Sequence, residues 1–227
     1  MLDTVLFVAF PYLAVVIAIL MGIYRYYSDR FSYSSLSSQF LENRALFWGS
    51  VSWHYGVILV LTAHVLALIF PSLWGDLISD QLRLYVLEVS GLALALMAFV
   101  GLTLLVVRRI TSSRALAVTS VMDWILLAAL LAQVGLGFSI ALIYRWGSDW
   151  YLHTAVPWLV SLAKFDPQTQ YVTALPLLVK LHMLGGFVIL ALFPFTRLVH
   201  LVTFPITYLW RPIQVVIWNR ARAGRGG

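Results

Sequence analysis

The chain of 227 residues contains no cysteine and carries little charge. Without cysteine, the chain itself can form no disulfide bond, thiolate metal site, iron–sulfur cluster or cysteine nucleophile. Charged residues make up 11% of the sequence, whereas soluble domains carry about 25%. So few charges cannot cover a water-soluble body of this size, and intrinsic disorder requires the opposite composition. The composition therefore excludes a soluble globular enzyme and a disordered chain.

Hydrophobic residues, at 62%, are correspondingly abundant. A hydrocarbon core about 30 Å thick needs roughly 20 apolar helical residues. We therefore predict an all-α, polytopic membrane bundle of five transmembrane helices. The five stretches cover about Thr4–Tyr27, Phe47–Phe70, Leu84–Val107, Val121–Tyr144 and Leu175–Thr203. The first stretch lacks a basic n-region and a small-residue cleavage site, so we interpret it as a retained helix.

The net charge of +6 is interpreted as membrane topology rather than nucleic-acid binding. Eleven basic residues fall on one side of the five spans: Arg25, Arg30, Arg44, Arg108, Arg109, Arg114, Arg197, Arg211, Arg220, Arg222 and Arg225. Four fall on the other side: Arg83, Arg145, Lys164 and Lys180. The positive-inside rule then places the N-terminus outside and the C-terminus in the cytoplasm. The predicted location is a prokaryotic inner membrane.

The connection between the fourth and fifth spans is the long one, from Arg145 to Ala174, and it is rich in tryptophan and tyrosine. Such aromatic residues favour the headgroup region. We predict a short interfacial helix near Thr154–Ala163, on the outer surface. The loop is either part of a functional site or an aromatic anchor without chemistry.

Four of the five histidines lie inside predicted spans, and His153 is in the long loop. His54 and His64 are on the second span, and His182 and His200 are on the fifth. Ionisable groups at membrane depth are rare and usually functional. The predicted orientation puts His64 level with His182 near the outside, and His54 level with His200 near the cytoplasm. Two haems, each with two axial histidines, require this arrangement.

The spacing of the histidines is compatible with this pairing but does not prove it. Eighteen residues separate His182 from His200, which on one helix means a shared face and about 27 Å along the axis. Ten residues separate His54 from His64, which means about 15 Å and directions about 80° apart. Unequal separations require tilted helices or inclined haem planes. Two axial histidines per iron favour electron transfer over oxygen chemistry, and the lipid-soluble redox partner in a membrane is a quinone.

Small and basic residues near the histidines suggest further contacts to the haems. Gly56 follows His54, and Gly185 follows His182, so a porphyrin could come close to either backbone. Close packing of helices would explain the same glycines. Arg197 is a candidate partner for the haem propionates, although setting the topology would also explain it.

The same residues resemble the gamma subunit of respiratory nitrate reductase, a dihaem cytochrome b, over nearly the whole chain. The most specific segment is Lys180-Leu-His182-Met-Leu-Gly-Gly, followed by Phe193-Pro-Phe-Thr-Arg197-Leu-Val-His200 and by Tyr208-Leu-Trp-Arg211-Pro212. A second is Trp53-His54-Tyr-Gly56 with Ala63-His64. Arg108-Arg109, Asp123 and Gln133-Val-Gly-Leu-Gly137 agree more weakly.

The resemblance implies that His54, His64, His182 and His200 are the axial ligands of two haems b. It implies that quinol is oxidised near the outer haem and that electrons continue to an iron–sulfur beta subunit and a molybdenum-containing alpha subunit. The family has a basic residue, usually lysine, that contacts quinol at the outer start of the third span. Arg83 is the nearest candidate for this catalytic contact. Where the family tends to have glycine before the outer ligand, this chain has Ala63.

We accordingly predict a dihaem transmembrane domain over residues 1–207 and a cytoplasmic tail over residues 208–227 that docks on a partner subunit. The tail lying along the inner leaflet is the alternative. Three other functions stay open. The chain could serve a related complex, such as a nitrite oxidoreductase or a sulfite-reductase-linked enzyme. It could be a proton-coupled transporter with a histidine relay, or a structural membrane anchor.

Overall fold

A computed structural model describes residues 2–28 and 43–201, and every regular element within them is a helix. The elements are α1 (Leu2–Thr4), a π-helical turn (Val5–Ala9), α2 (Phe10–Ser28), α3 (Asn43–Ile69), α4 (Pro71–Ile78), α5 (Gln81–Thr111), α6 (Ser113–Ala117), α7 (Val121–Ile143), α8 (Gly147–His153), α9 (Ala155–Ala163), α10 (Gln170–Thr173), α11 (Leu177–Leu192), and two 3-10 helices (Phe193–Phe195 and Arg197–Leu201).

Five helical stretches are long and apolar enough to cross a membrane, which confirms the predicted fold class. They are Leu2–Ser28, Trp48–Ile69, Gln81–Thr111, Val121–Ile143 and Leu177–Phe195. A helix, α9, is present where the interfacial helix was predicted and begins within one residue of the expected start; its place at the membrane surface stays a prediction. We call the end of the bundle that carries α4, α8 and α9 the α8–α9 end, and the opposite end the α6 end.

The five spans pack in a row. α3 lies on α5, α5 on α7, α7 on α11, and α11 on α2. The contact between α3 and α5 is the most extensive, and small residues create it. A Cβ atom on Gly101 would overlap the backbone nitrogen of Trp53, and one on Gly56 would lie 2.8 Å from the Ala98 nitrogen. Missing side chains thus let the two backbones approach closely.

The fifth span corrects one expectation, because its α-helix ends at Leu192. A 3-10 turn around Pro194 follows, Thr196 is extended (φ −121°, ψ 179°), and a second 3-10 helix begins at Arg197. Proline supplies no backbone N–H, and an extended residue cannot continue a helix. His182 and His200 therefore do not lie on one continuous helix, and the eighteen-residue estimate of a shared face is wrong.

Side chains from distant spans stabilise this break. Arg25, in the last turn of α2, donates from one guanidinium nitrogen to the carbonyls of Pro194 (2.6 Å) and Thr196 (3.0 Å). Arg197 pairs with the buried Asp123 of α7 at 2.9 Å. Asp123 also closes a capping box with Ser120 and lies 3.9 Å from Arg109. Carbonyls that the broken helix cannot satisfy therefore have charged donors.

In the first span, at the α8–α9 end, a distant side chain likewise bonds to a carbonyl that a proline leaves unsatisfied. Pro11 has no N–H to offer the carbonyl of Phe7, four residues earlier, and the helix widens into a π turn there. The indole N–H of Trp158 donates to that carbonyl at 3.1 Å. Trp158 and Phe7 are each 1% exposed, and their rings meet edge to face. α9 is thus joined to the first span by its most buried side chain.

Trp158→Phe should destabilise the protein by about 1–3 kcal/mol, because it leaves the buried Phe7 carbonyl without its donor while keeping most of the ring contacts. The thermal midpoint of the detergent-solubilised complex measures this loss. Trp48→Phe, at a tryptophan that is 68% exposed, serves as the control. Equal midpoints for the Trp158 variant and the wild type would refute the assigned hydrogen bond.

Candidate functional site

Three of the four intramembrane histidines have described side chains, and all three use Nδ1 in the same way. His54 donates to the Ser50 carbonyl at 2.7 Å, His64 to the Val60 carbonyl at 2.8 Å, and His182 to the Gln133 carbonyl at 3.1 Å. A carbonyl can only accept, so Nδ1 carries the proton in each neutral ring, and the lone pair is on Nε2. Metal-binding histidines are typically oriented in this way.

His64 and His182 come from spans that are not neighbours in the row. His64 is in the half of α3 nearer the α8–α9 end, and His182 is in the second turn of α11 at the same end. The two imidazoles are close enough to interact electrostatically. Among the described residues, α3 packs mainly on α5, whereas α11 packs on α7 and α2. The two ligand candidates therefore lie at the same end of the bundle, and their pairing on one haem stays a prediction.

The surroundings of His182 include two residues that were not among the predicted site residues. A Cβ atom on Gly137 of α7 would lie 2.9 Å from Cε1 of the His182 ring. Gln133, one turn earlier, accepts from His182 Nδ1 through its carbonyl and returns a bond from Nε2 to the His182 carbonyl at 3.0 Å. These two α7 residues fix the position of the ring. Both stand in the weakest motif of the resemblance, Gln133-Val-Gly-Leu-Gly137.

The two glycines proposed as porphyrin contacts have protein neighbours in the structure. Gly56 is buried against the backbone of α5 at Leu94 and Ala98. A Cβ atom on Gly185 would overlap the Oε1 atom of Gln133. The missing side chain at Gly185 therefore makes room for the glutamine beside His182. Close packing of α3 on α5 therefore explains Gly56, and the space needed by Gln133 beside His182 explains Gly185.

The two predicted basic residues lie at opposite ends of the bundle. Arg83, in the first turn of α5 at the α8–α9 end, bonds to Ser79 and lies 3.8 Å from Asp80, with half of its side chain exposed. Arg197, at the α6 end, pairs with Asp123 and donates to the Val118 carbonyl at 3.1 Å. Arg83 therefore remains accessible at the end of the bundle that also carries His64 and His182. Arg197 joins the end of the fifth span to α7.

Two predictions fall partly or wholly outside what the structure describes. The backbone of His200 is in the 3-10 helix Arg197–Leu201, but its side chain is not described, so its pairing with His54 stays a prediction. The tail, residues 208–227, lies outside the described residues.

The described residues fit a haem with two axial imidazoles. His64 and His182 come from two spans at the same end of the bundle, and each ring is bonded to a backbone carbonyl through Nδ1, which leaves Nε2 for a metal. The absence of cysteine from the sequence excludes covalent attachment through thioether bonds. The histidines therefore suit a non-covalent, b-type haem.

Comparison with known proteins gives one consistent result. The family model described as "Nitrate reductase gamma subunit" matches residues 3–219. The nitrate reductase gamma chain of Bacillus subtilis (strain 168) is 33% identical over 209 residues, which cover 90% of this chain and 93% of that protein. The respiratory nitrate reductase 1 gamma chain of Escherichia coli (strain K12) is 26% identical over 220 residues, covering 95% and 97%. The chain belongs to the nitrate reductase gamma subunit family.

Proposed function

We propose that this chain is the dihaem cytochrome b subunit of a respiratory nitrate reductase and that it oxidises quinol. His64 and His182 hold one haem b at the α8–α9 end, and His54 and His200 hold the other at the α6 end. The observation that carries the proposal is the common Nδ1-to-carbonyl bond of the three described histidines. When bound, the two haems supply one-electron transfer between the ends of the bundle.

The chain's own residues would bind quinol and orient it at the α8–α9 end, which the positive-inside rule places outside. Arg83 is the proposed contact, because its guanidinium is half exposed at the start of α5. It would donate a hydrogen bond to a quinol oxygen. The two protons of the quinol would then be released on the outer side, while nitrate reduction consumes protons in the cytoplasm.

The partners follow from what this chain lacks. It has no cysteine for iron–sulfur clusters, and its described residues form a membrane bundle. Electrons therefore leave the α6 end to an iron–sulfur beta subunit, and a molybdenum-containing alpha subunit beyond it reduces nitrate. The tail, residues 208–227, is the proposed docking segment on the cytoplasmic side. The gamma chain relatives are named as chains of nitrate reductases.

The proposal predicts that a soluble quinol reduces b-type absorbance in membranes that contain the whole complex, and that nitrate reoxidises it. Arg83→Ala should slow the reduction by about tenfold or more without loss of haem, because it removes a charged donor worth about 1.5–3 kcal/mol. Arg145→Ala, at an exposed arginine of the same end, should leave the rate unchanged.

The outcomes separate the competing functions. Unchanged reduction in Arg83→Ala would exclude Arg83 as the quinol contact. Reduction by quinol without reoxidation by nitrate would favour a related complex with another terminal substrate. A histidine-relay transporter would show no haem absorbance at all.

A further inference from the structure

The helix α8 is held at its start by a carboxylate from α5. Glu88 accepts hydrogen bonds from the backbone N–H groups of Gly147 (3.0 Å) and Ser148 (2.9 Å). These are among the N–H groups that a helix cannot satisfy by itself, and a negative charge near them is favourable. Trp146, just before them, adopts the left-handed conformation (φ 62°) that turns the chain into α8. Glu88 thus fixes where α8 begins.

One turn further along α8, Tyr151 contacts His64 in two ways. Its ring meets the imidazole edge to face, with centroids 5.0 Å apart and planes at 70°. Its hydroxyl donates to the His64 carbonyl at 3.3 Å. The tyrosine is thus held both to the backbone and to the ring of His64.

These contacts give His64 support from a second helix. Within α3, the His64 ring is oriented by one bond from Nδ1 to the Val60 carbonyl, and the residue is exposed. A single hydrogen bond leaves the ring free to rotate about it, whereas an aromatic ring packed against the imidazole limits that motion. Glu88, α8 and Tyr151 therefore form a continuous path of contacts from α5 to the candidate haem ligand on α3.

We propose that Tyr151 is a positioning residue for His64, held in place by the contact of Glu88 with α8, and that it tunes the haem which His64 binds. The inference rests on the proposed function, since it requires that haem. Partners of a metal-binding histidine fix the orientation of its ring, and the shell around the site controls solvent access and so the redox potential. Loss of the tyrosine ring would uncover more of His64 to water, which favours the oxidised, more positive form of the haem.

Tyr151→Ala should lower the midpoint potential of one of the two haems and leave the other unchanged. We expect about a tenfold change in the reduction equilibrium, which for a one-electron couple is about 59 mV. Tyr151→Phe keeps the ring contact and should restore most of the wild-type potential. A redox titration of the purified complex, with the low-spin electron paramagnetic resonance signals of each haem, measures both effects. Tyr171→Ala, at a tyrosine of the same end that is 37% exposed, is the control.

Glu88→Ala should shift the same haem in the same direction, because it releases the start of α8. The double variant should shift it no further than the larger single change, since both act through one path. If Tyr151→Ala does not fold, Glu88→Gln must still produce a shift at that haem. Two haems at wild-type potentials in these variants would overturn the positioning role and leave the proposed function intact. A wild-type protein without haem would overturn both.

Discussion

His182→Ala should lower the haem content of the purified protein from two per chain to one. The imidazole is an axial ligand in this account, and alanine offers no lone pair to the iron. His54 and His200 are on other parts of the bundle, so their haem should remain. Haem per chain, measured as the pyridine haemochrome against protein concentration, and the number of midpoint potentials in a redox titration both report the change.

His153→Ala is the matched control for this experiment. His153 is also at the α8–α9 end, but 70% of its side chain is exposed, and it lies 3.6 Å from Asp149 in its own helix. The account requires two haems in this variant. Two haems in His182→Ala, or one in His153→Ala, would contradict the assignment of the ligands.

Gly137→Ala should also remove the haem at the α8–α9 end, without replacing a ligand. The added Cβ atom would lie 2.9 Å from Cε1 of His182, which is too close for two carbon atoms. The ring cannot turn away freely, because its Nδ1 is bonded to the Gln133 carbonyl. Displacing a metal ligand through its neighbours costs about 10–100-fold in affinity, so the purified variant should retain close to one haem.

Gly135→Ala provides a control two residues away on the same helix. A Cβ atom there would lie 3.5 Å from a ring carbon of Phe99, which is an ordinary contact. This variant should keep both haems and a wild-type spectrum. Equal haem loss in the two glycine variants would mean that α7 tolerates no side chain in this region, and that the proposed clash with His182 is not the cause.

Hydropathy and length were enough to predict the membrane fold from the sequence. The second span was expected over Phe47–Phe70 and is Trp48–Ile69; the fourth was expected over Val121–Tyr144 and is Val121–Ile143. A bilayer imposes both properties on every spanning helix, so they are readable without knowledge of the neighbours. The same information placed His64 and His182 near one end of the bundle, because alternate spans run in opposite directions; their pairing on one haem stays a prediction.

The end of the fifth span could not be predicted in this way. Its apolar run continues through Pro194 to Thr203, and although Pro194 is a local signal for a break, hydropathy alone does not show that the α-helix stops at Leu192. The break depends on Arg25 and Asp123, which are far away in sequence and reach it only in the folded bundle. A hydropathy profile carries no information about contacts between residues on different spans.

The residues that surround the histidines could not be predicted from the sequence for a related reason. Gly137 lies beside His182 because of how α7 is rotated against α11, and the sequence does not specify that angle. Tyr151 was expected to be part of an aromatic loop at the membrane surface. Its contact with His64 arises because Glu88, on another helix, sets the start of α8. Roles of this kind come from contacts between elements rather than from motifs.

The most direct test of the account is the haem content of the wild-type chain purified with its complex. The pyridine haemochrome should correspond to two b-type haems for each copy of this chain, and the dithionite-reduced spectrum should show b-type bands. A well-folded wild-type preparation with no haem or only one haem per chain, or a double variant without His64 and His182 that still holds two haems, would contradict the central claim that the four intramembrane histidines hold two haems across the bundle.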